Sequence, residues 1–204
     1  LGYESHAEFV LEERMAESPT KVYDFLKRLL TVSRPAAEKD VQQLQVLKEE
    51  LKDGDTIAPW DVSFYAEKLK IRLFDFDENM LRPYFSLDKV VEGVFEHAKL
   101  LYGLTFIERS DLPVYHEDVK VYEVRNHSDE FIALFYADFF PRESKRNGAW
   151  ATTFKAQGLS GGNLKRPHAA IVCNLTRPTA TKPSLLNMAE VETLFHEFGH
   201  ALHM

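Results

Sequence analysis

Two histidines with a glutamate between them carry the clearest chemistry in this sequence, because His196, Glu197 and His200 form an HExxH pattern. On an α-helix, side chains four residues apart lie one turn apart on the same face. Two imidazoles placed in this way can bind one zinc ion, and the glutamate can act as general base on a water that the metal activates. The pattern predicts a metallopeptidase with His196 and His200 as metal ligands and Glu197 as catalytic base.

The motif leaves one metal ligand unassigned, because catalytic zinc normally has three protein ligands and a water. His203 occupies the position where metzincins carry a glycine. This residue argues against that class and favours enzymes whose third ligand is a glutamate on a later helix. The alternative is a chance HExxH on an amphipathic helix whose histidines are only solvated.

The helix that must hold these residues has a clear start signal. Asn187 is an N-cap residue, and Glu190 three positions later completes a capping box. His196 and His200 lie beside the apolar positions of this helix, so we expect them to face a cleft rather than the deepest core. The expected apolar positions are Val191, Leu194, Phe195, Phe198 and Leu202.

Upstream of residue 105 the sequence predicts helices. Ser18-Pro19 starts one with an apolar stripe, and Pro35 is expected to start a second that ends near Gly54. Pro59-Trp60-Asp61 starts a third, and Ser86 caps a fourth that Gly103 ends. The stripes expected to face inward are Val22, Phe25, Leu26 and Leu29 in the first helix and Val41, Leu44, Leu47 and Leu51 in the second.

After residue 105 the pattern changes to strands. Residues 119–124 are rich in β-branched side chains, and 131–140 read as their hairpin partner across a polar turn. Residues 141–167 form a polar stretch, and 169–175 predict a short strand. The expected fold is mainly α with a small β-sheet (α+β), with a helical region at 1–104 and the sheet plus the metal-motif helix at 105–204, both parts of one larger catalytic unit.

Composition limits the partners. The net charge of −7 comes without a basic patch, which argues against nucleic acid and anionic membranes. The longest apolar run, 131–137, is too short to span a bilayer. Cys173 is the only cysteine and no signal peptide is recognisable at the start, so we expect a reducing, cytoplasmic location.

Two further segments are candidates for substrate contact. Gly161 and Gly162 lie in a glycine-rich stretch that is either a flexible substrate-contacting loop or a plain connector. Ala170 and Val172 lie in a short strand that is either an edge strand able to pair with an extended peptide or a core strand.

The zinc-motif segment 191–203 resembles the zinc helix of the thimet-oligopeptidase family, peptidase family M3. Arg82-Pro83-Tyr84-Phe85, Tyr102-Gly103-Leu104-Thr105-Phe106, Asp118–Val124 and Ala137-Asp138-Phe139-Phe140-Pro141-Arg142 are also similar to family segments, in the right order. The resemblance covers most of the chain. It is strongest to the bacterial peptidyl-dipeptidase and oligopeptidase A branches.

The resemblance implies a helical, channel-containing, gluzincin-type zincin with one Zn²⁺ per intact catalytic site and short unstructured peptides as substrates. It maps His196 and His200 onto zinc ligands and Glu197 onto the catalytic base. The family's third ligand, a glutamate, and the His and Tyr residues that stabilise the transition state would lie beyond Met204. We therefore expect an internal fragment of a longer enzyme, itself weak in zinc binding, possessing little or no activity and prone to self-association through exposed apolar surface.

A second hypothesis is a non-catalytic helical module that binds peptide or a partner and whose HExxH is vestigial. The residues that would separate removal of C-terminal dipeptides from internal cleavage are not among those the resemblance covers. Both activities therefore stay open from the sequence.

Overall fold

The computed structural model describes residues 2–54 and 56–204. These residues divide into two compact units, with the boundary between Phe76 and Asp77. The sequence-based division into 1–104 and 105–204 concerns parts of one larger catalytic unit, and it stays a prediction. No helix among the described residues is both long enough and apolar enough to cross a membrane.

The first unit contains three helices, α1 (His6–Leu11), α2 (Pro19–Glu50) and α3 (Val62–Phe74). Ser18 caps α2, because its side chain accepts a hydrogen bond from the Lys21 N–H while Pro19 occupies the first helical position. The buried apolar core of this unit consists of Leu44, Leu47 and Tyr65.

The predicted break at Pro35 is wrong, because Pro35 lies inside the continuous helix α2. A proline within a helix removes one backbone hydrogen bond, which would have ended on the Thr31 carbonyl four residues earlier. Thr31 is exposed, so water can take the place of that donor. The predicted inward stripe is wrong as well, since Phe25, Leu26 and Leu29 are exposed, and so are Val41 and Leu51 of the second stripe.

The second unit is built on a five-stranded mixed sheet with the strand order β1-β2-β3-β7-β4. Strand β7 pairs in parallel with β3 and antiparallel with β4, while the other neighbours are antiparallel. A separate hairpin contains β5 and β6. The strands are β1 (Thr105–Glu108), β2 (Lys120–Arg125), β3 (Phe131–Asp138), β4 (Trp150–Lys155), β5 (Gly158–Ser160), β6 (Asn163–Lys165) and β7 (His168–Val172).

Two helices, α4 (Leu87–Tyr102) and α5 (Met188–His203), pack on one face of this sheet. The buried cluster combines Val94 and Ala98 of α4 with Leu194 and Phe198 of α5 and with inward side chains of β2, β3 and β7. A smaller cluster on the opposite face contains Val121, Tyr136 and Ala170. A 3₁₀ helix (Glu78–Tyr84) precedes α4.

The class α+β is confirmed by these helices and the mixed sheet. Ser86 and Gly103 flank α4 as predicted, with Gly103 in the left-handed conformation that ends the helix (φ 67°). The polar stretch 141–167, for which the sequence predicts no element, contains β4, β5 and β6. These strands are short and largely exposed, so their apolar content is too low to give a strand signal.

A buried ion cluster lies at the end of β3. Asp138 is fully buried and accepts hydrogen bonds from Arg142 (2.8 Å from each guanidinium nitrogen), from the Lys145 ammonium (3.0 Å) and from the Tyr115 hydroxyl (3.0 Å). Ala137 belongs to the cluster under α5, so Asp138 projects from the opposite face of the sheet. Burial alone would raise the pKa of Asp138, but its hydrogen-bond donors outweigh burial and hold the pKa below its ordinary value.

We expect Asp138→Asn to lower the free energy of unfolding of the second unit by about 3–5 kcal/mol at pH 7, because two buried cations would lose their counter-charge. A lowered folded-state pKa gives stability that is present above the unfolded pKa and lost as the pH falls through the folded pKa. The wild-type protein should therefore lose more stability between pH 7 and pH 3 than the Asn variant. Urea unfolding followed by Trp150 fluorescence, in a Trp60→Phe background, measures both effects.

Glu96→Gln is the matched control, because Glu96 is exposed on α4 and has no hydrogen bond or ion pair among the described residues. It should leave both the stability and its pH dependence unchanged. An Asn variant with the same pH dependence as the wild type would contradict the role assigned to Asp138.

Candidate metal and catalytic site

Helix α5 begins with the predicted capping box. The Asn187 side chain accepts the Glu190 N–H (2.8 Å), and the Glu190 carboxylate accepts the Asn187 N–H (2.8 Å). Together these bonds satisfy two backbone donors that would otherwise have no partner at the helix start. The start of α5 at Met188 is therefore fixed about two turns before the HExxH motif.

The Glu190 carboxylate also fixes the segment that enters α5. It accepts hydrogen bonds from the Thr176 N–H (2.6 Å) and the Thr176 hydroxyl (2.7 Å). Ser184 donates to the Thr176 carbonyl (2.5 Å), and Arg82 donates to the Leu185 carbonyl (3.1 Å). The connection from β7 to the metal-motif helix is thus held at several points rather than free.

The two motif histidines converge. Their Nε2 atoms are 3.1 Å apart and their ring planes are inclined at 86°. Two nitrogens bound tetrahedrally to one zinc at about 2.0–2.1 Å would be separated by roughly 3.3 Å. The donor pair therefore fits a single metal ion, and both side chains lie on the exposed side of α5.

Glu197 lies at the border between the exposed face of α5, which carries the histidines, and its buried face. Only 8% of it is exposed, and its carboxylate has no hydrogen-bond partner among the described residues. At about 100° per residue, Glu197 is rotated 60° from His200 around the helix axis. It therefore stands between the histidines and the buried side chains Leu194 and Phe198.

The apolar positions of α5 are only partly covered: Val191, Leu194 and Phe198 are buried, whereas Phe195 and Leu202 are 38% and 37% exposed. Glu197 and the partly buried Ala201 take their place against the sheet. Apolar residues occupy more of the circumference of α5 than the sheet covers, so the apolar pattern does not show which of them are buried. It also does not predict that Glu197 lies among the buried residues.

Cys173 is fully buried in the sheet layer beneath this region. Burial raises the pKa of its thiol to about 12, and the Glu197 carboxylate adds to the rise. A neutral, enclosed thiol is neither a nucleophile nor a metal ligand at neutral pH.

Metal donors beyond the two histidines are missing from the described part of the chain. Residues 2–54 and 56–204 contain no group of three His, Cys, Asp or Glu side chains able to hold a metal ion. His203 is exposed in the last turn of α5 and joins no such group. The residues present therefore supply two of the three protein ligands that a catalytic zinc requires.

The two glycine candidates lie in a turn between two short strands. Gly161 and Gly162 form the tip of the exposed β5–β6 hairpin, both with positive φ (59° and 79°), as a two-residue type I′ turn requires. Their contact with substrate stays a prediction.

The edge-strand alternative for β7 is wrong. Ala170 is opposite both Tyr136 of β3 and Thr152 of β4, and Val172 is likewise opposite partners on both sides. Ala170 and Val172 therefore cannot receive a peptide by strand addition. The edge of the sheet beside β7 is β4, which also packs against α5; sequence analysis missed this strand.

Comparison with known proteins gives one family. The model of peptidase family M3 matches residues 1–204. The chain is 42% identical to oligopeptidase A of Escherichia coli K12 and 41% identical to dipeptidyl carboxypeptidase of the same organism, over its whole length in both cases. It is 38% identical over 99% of its length to the probable cytosolic oligopeptidase A of Arabidopsis thaliana.

The chain spans about 30% of the length of these curated relatives. The identities to the oligopeptidase A and the dipeptidyl carboxypeptidase of Escherichia coli are almost equal. Sequence identity therefore does not separate the two kinds of relative.

We expect Glu190→Ala to lower the free energy of unfolding of the second unit by about 1–2 kcal/mol, because α5 loses its capping box and its bonds to Thr176. Hydrogen exchange should accelerate in the first turn of α5 and at the Thr176 amide. Glu190→Gln is the matched control, because a glutamine can complete a capping box but has one acceptor oxygen instead of two. The Gln variant should keep the protection of the first turn of α5 and lose that of the Thr176 amide. Equal exchange rates in the first turn of α5 in the Ala and Gln variants would show that Glu190 does not hold the helix.

Proposed function

Because this chain belongs to peptidase family M3, we propose that it carries the zinc-binding helix and the catalytic base of a metallopeptidase that hydrolyses short peptides. The observation that carries the proposal is the convergence of the His196 and His200 Nε2 atoms beside the nearly buried, unbonded carboxylate of Glu197. If the HExxH pattern were a chance match with solvated side chains, there would be no reason for Glu197 to lie at the margin of the core without a hydrogen-bond partner.

In this proposal His196 and His200 hold the metal as neutral imidazoles through Nε2, so each carries its proton on Nδ1. Zinc, when bound, polarises the peptide carbonyl and lowers the pKa of a water from 15.7 to about 7. Glu197 would act as the general base that takes a proton from the attacking water and as the acid that gives it to the leaving amine. Its lack of competing hydrogen bonds leaves both oxygens available for this transfer.

The exposed margin of β4 supports an extended binding mode for the substrate. Strand β4 pairs with β7 on one side only, and Thr153, Phe154 and Lys155 are exposed. A peptide in extended conformation can hydrogen-bond to such an edge. Because β4 packs against α5, a peptide bound there would run alongside the helix that carries Glu197.

The proposal extends to the intact protein. Oligopeptidase and peptidyl-dipeptidase activity are both kept open, and a channel that restricts substrates to short unstructured peptides is part of the proposal. A third zinc ligand would come from outside the described residues. The alternative of a non-catalytic module with a vestigial HExxH is not favoured, because the convergent histidines and the adjacent base are intact.

Location and association are also part of the proposal. The single buried cysteine supports a reducing, cytoplasmic setting. Exposed apolar side chains support self-association of this chain. On α2 they include Tyr23, Phe25, Leu26, Leu29, Leu30 and Val32.

We expect the 204-residue chain to bind one zinc ion with a Kd weaker than about 1 µM, because two imidazoles supply less binding free energy than a complete ligand set. Titration against a competing chromogenic chelator measures this affinity. His200→Ala should abolish binding, whereas His203→Ala, on the same helix, should not change it. Tight binding with one zinc per chain that His203→Ala weakens would mean that His203 is a ligand.

We expect the intact protein to cleave a short fluorogenic peptide in a reaction that chelators stop and zinc restores. Glu197→Gln should reduce kcat by about 10²–10⁴-fold, the range for loss of a general base, while the zinc content stays at one per site. Glu96→Gln, an exposed change on α4, should keep full activity. A Glu197→Gln enzyme with undiminished kcat, or a wild-type protein that contains no metal and is inert, would refute the proposed mechanism.

A further inference from the structure

A groove of about 580 Å³ opens in the second unit between α4 and the strands β1 and β2. None of the residues His196, Glu197 and His200 lines it. Its volume falls in the range of pockets that enclose small ligands or single peptide side chains, about 300–1,000 Å³. The groove is therefore a candidate binding site separate from the metal site.

Aromatic rings form the floor of the groove. Phe95 of α4 and Phe106 of β1 are stacked with centroids 4.2 Å apart and planes inclined by only 4°. Tyr122 of β2 meets the Phe95 ring edge-to-face at 4.9 Å. These rings give the groove an apolar floor against which an apolar side chain can pack.

Tyr122 presents a polar atom in this apolar floor. Only 6% of the residue is exposed, and its hydroxyl has no hydrogen-bond partner within residues 2–54 and 56–204. The hydroxyl oxygen itself is reached by solvent, because no buried side-chain oxygen or nitrogen without a partner occurs among the described residues. Burial, with the Glu108 and Asp88 carboxylates, raises the pKa of Tyr122, so the hydroxyl stays neutral, and its oxygen can accept a hydrogen bond from a ligand in the groove.

The rim of the groove is acidic. Four carboxylates line it, against the single cation Lys120. Asp88 makes no hydrogen bond or ion pair among the described residues, and it stands in the first turn of α4. The four acidic residues are Asp88, Glu92, Glu108 and Asp118.

The other three carboxylates form ion pairs that differ in solvent exposure. Asp118 is bound by Arg177 (2.6 Å), with 18% of the Asp118 side chain exposed. Glu92 pairs with Lys89 and Glu108 with Lys120, but the side chains in both pairs are about half exposed or more. Exposed pairs of this kind contribute about 0–1 kcal/mol, so an incoming cation can displace them at little cost.

We propose that this groove binds an arginine side chain of a peptide partner. The guanidinium would donate to the Asp88 carboxylate and to the Tyr122 hydroxyl oxygen, and a neighbouring apolar side chain would cover Phe95 and Phe106. Arginine fits better than lysine, because its planar fork donates several hydrogen bonds in fixed directions and can reach both acceptors at once. The net charge of −7 also favours approach of a cationic peptide.

The test uses the 204-residue chain with EDTA present, so binding is measured without metal and independently of peptidase activity. The probe is acetyl-Phe-Arg-amide, titrated by calorimetry and by NMR chemical-shift changes. Asp88→Asn should weaken binding about 10-fold and Tyr122→Phe about 3- to 5-fold, because each removes one partner of a charge-assisted hydrogen bond. Tyr122→Phe keeps the aromatic ring, so the core should remain folded.

Two controls make the result specific. Acetyl-Phe-citrulline-amide has the same shape without the charge and should bind at least 10-fold more weakly, and Glu96→Gln, which lies on α4 outside the groove, should bind the arginine peptide like the wild type. Equal binding of the two peptides, or unchanged affinity in both groove variants, would overturn the proposal. So would a dimer of the chain that Asp88→Arg dissociates, because that result would assign the groove to a second copy.

Discussion

The orientation of α5 about its own axis is the constraint on which the candidate site depends. Val191, Leu194 and Phe198 are buried against the sheet, and each large apolar side chain contributes about 1.5–3 kcal/mol by leaving water. Phe198 alone meets three other aromatic rings, at centroid distances of 5.4–5.9 Å. With these side chains seated, the helical repeat leaves His196 and His200 on the open side and Glu197 at the margin.

Glu197 is a charged residue of which only 8% is exposed, so its position must be maintained by its neighbours. Along the helix this is done by apolar packing, and at the helix start by the bonds of Glu190 to Asn187 and Thr176. Below α5, the ion cluster around Asp138 holds the end of β3 on the other face of the sheet, and the Asp138 carbonyl accepts the Cys173 N–H just after β7 (2.8 Å). The candidate catalytic groups are thus positioned by two sets of contacts, those of α5 and those below the sheet, and neither set includes a candidate catalytic residue.

The parts of this arrangement that the sequence predicts are those set by local spacing. The Asn187–Glu190 capping box and the ends of α4 depend on residues a few positions apart, and both match the structure. The edge position of β4 could not be predicted, because strand order is decided by contacts between distant segments. The exposure of Phe25, Leu26 and Leu29 could not be predicted either. Helical periodicity indicates an apolar face but not whether another segment covers it.

The aromatic layer between α4, α5 and the sheet separates two surfaces with different ligand chemistry. Phe95 and Phe106 contact Phe198 on one side and form the floor of the acidic groove on the other. The carboxylates of that groove are spread along its rim and belong to no group able to hold a metal among the described residues, so they do not compete with the histidines for zinc. A dispersed set of carboxylates over an apolar floor instead suits an arginine side chain, since its planar fork can reach several acceptors at once. The proposed metal site and the proposed arginine groove can therefore both occur in the second unit, because a layer of packed aromatic rings separates them.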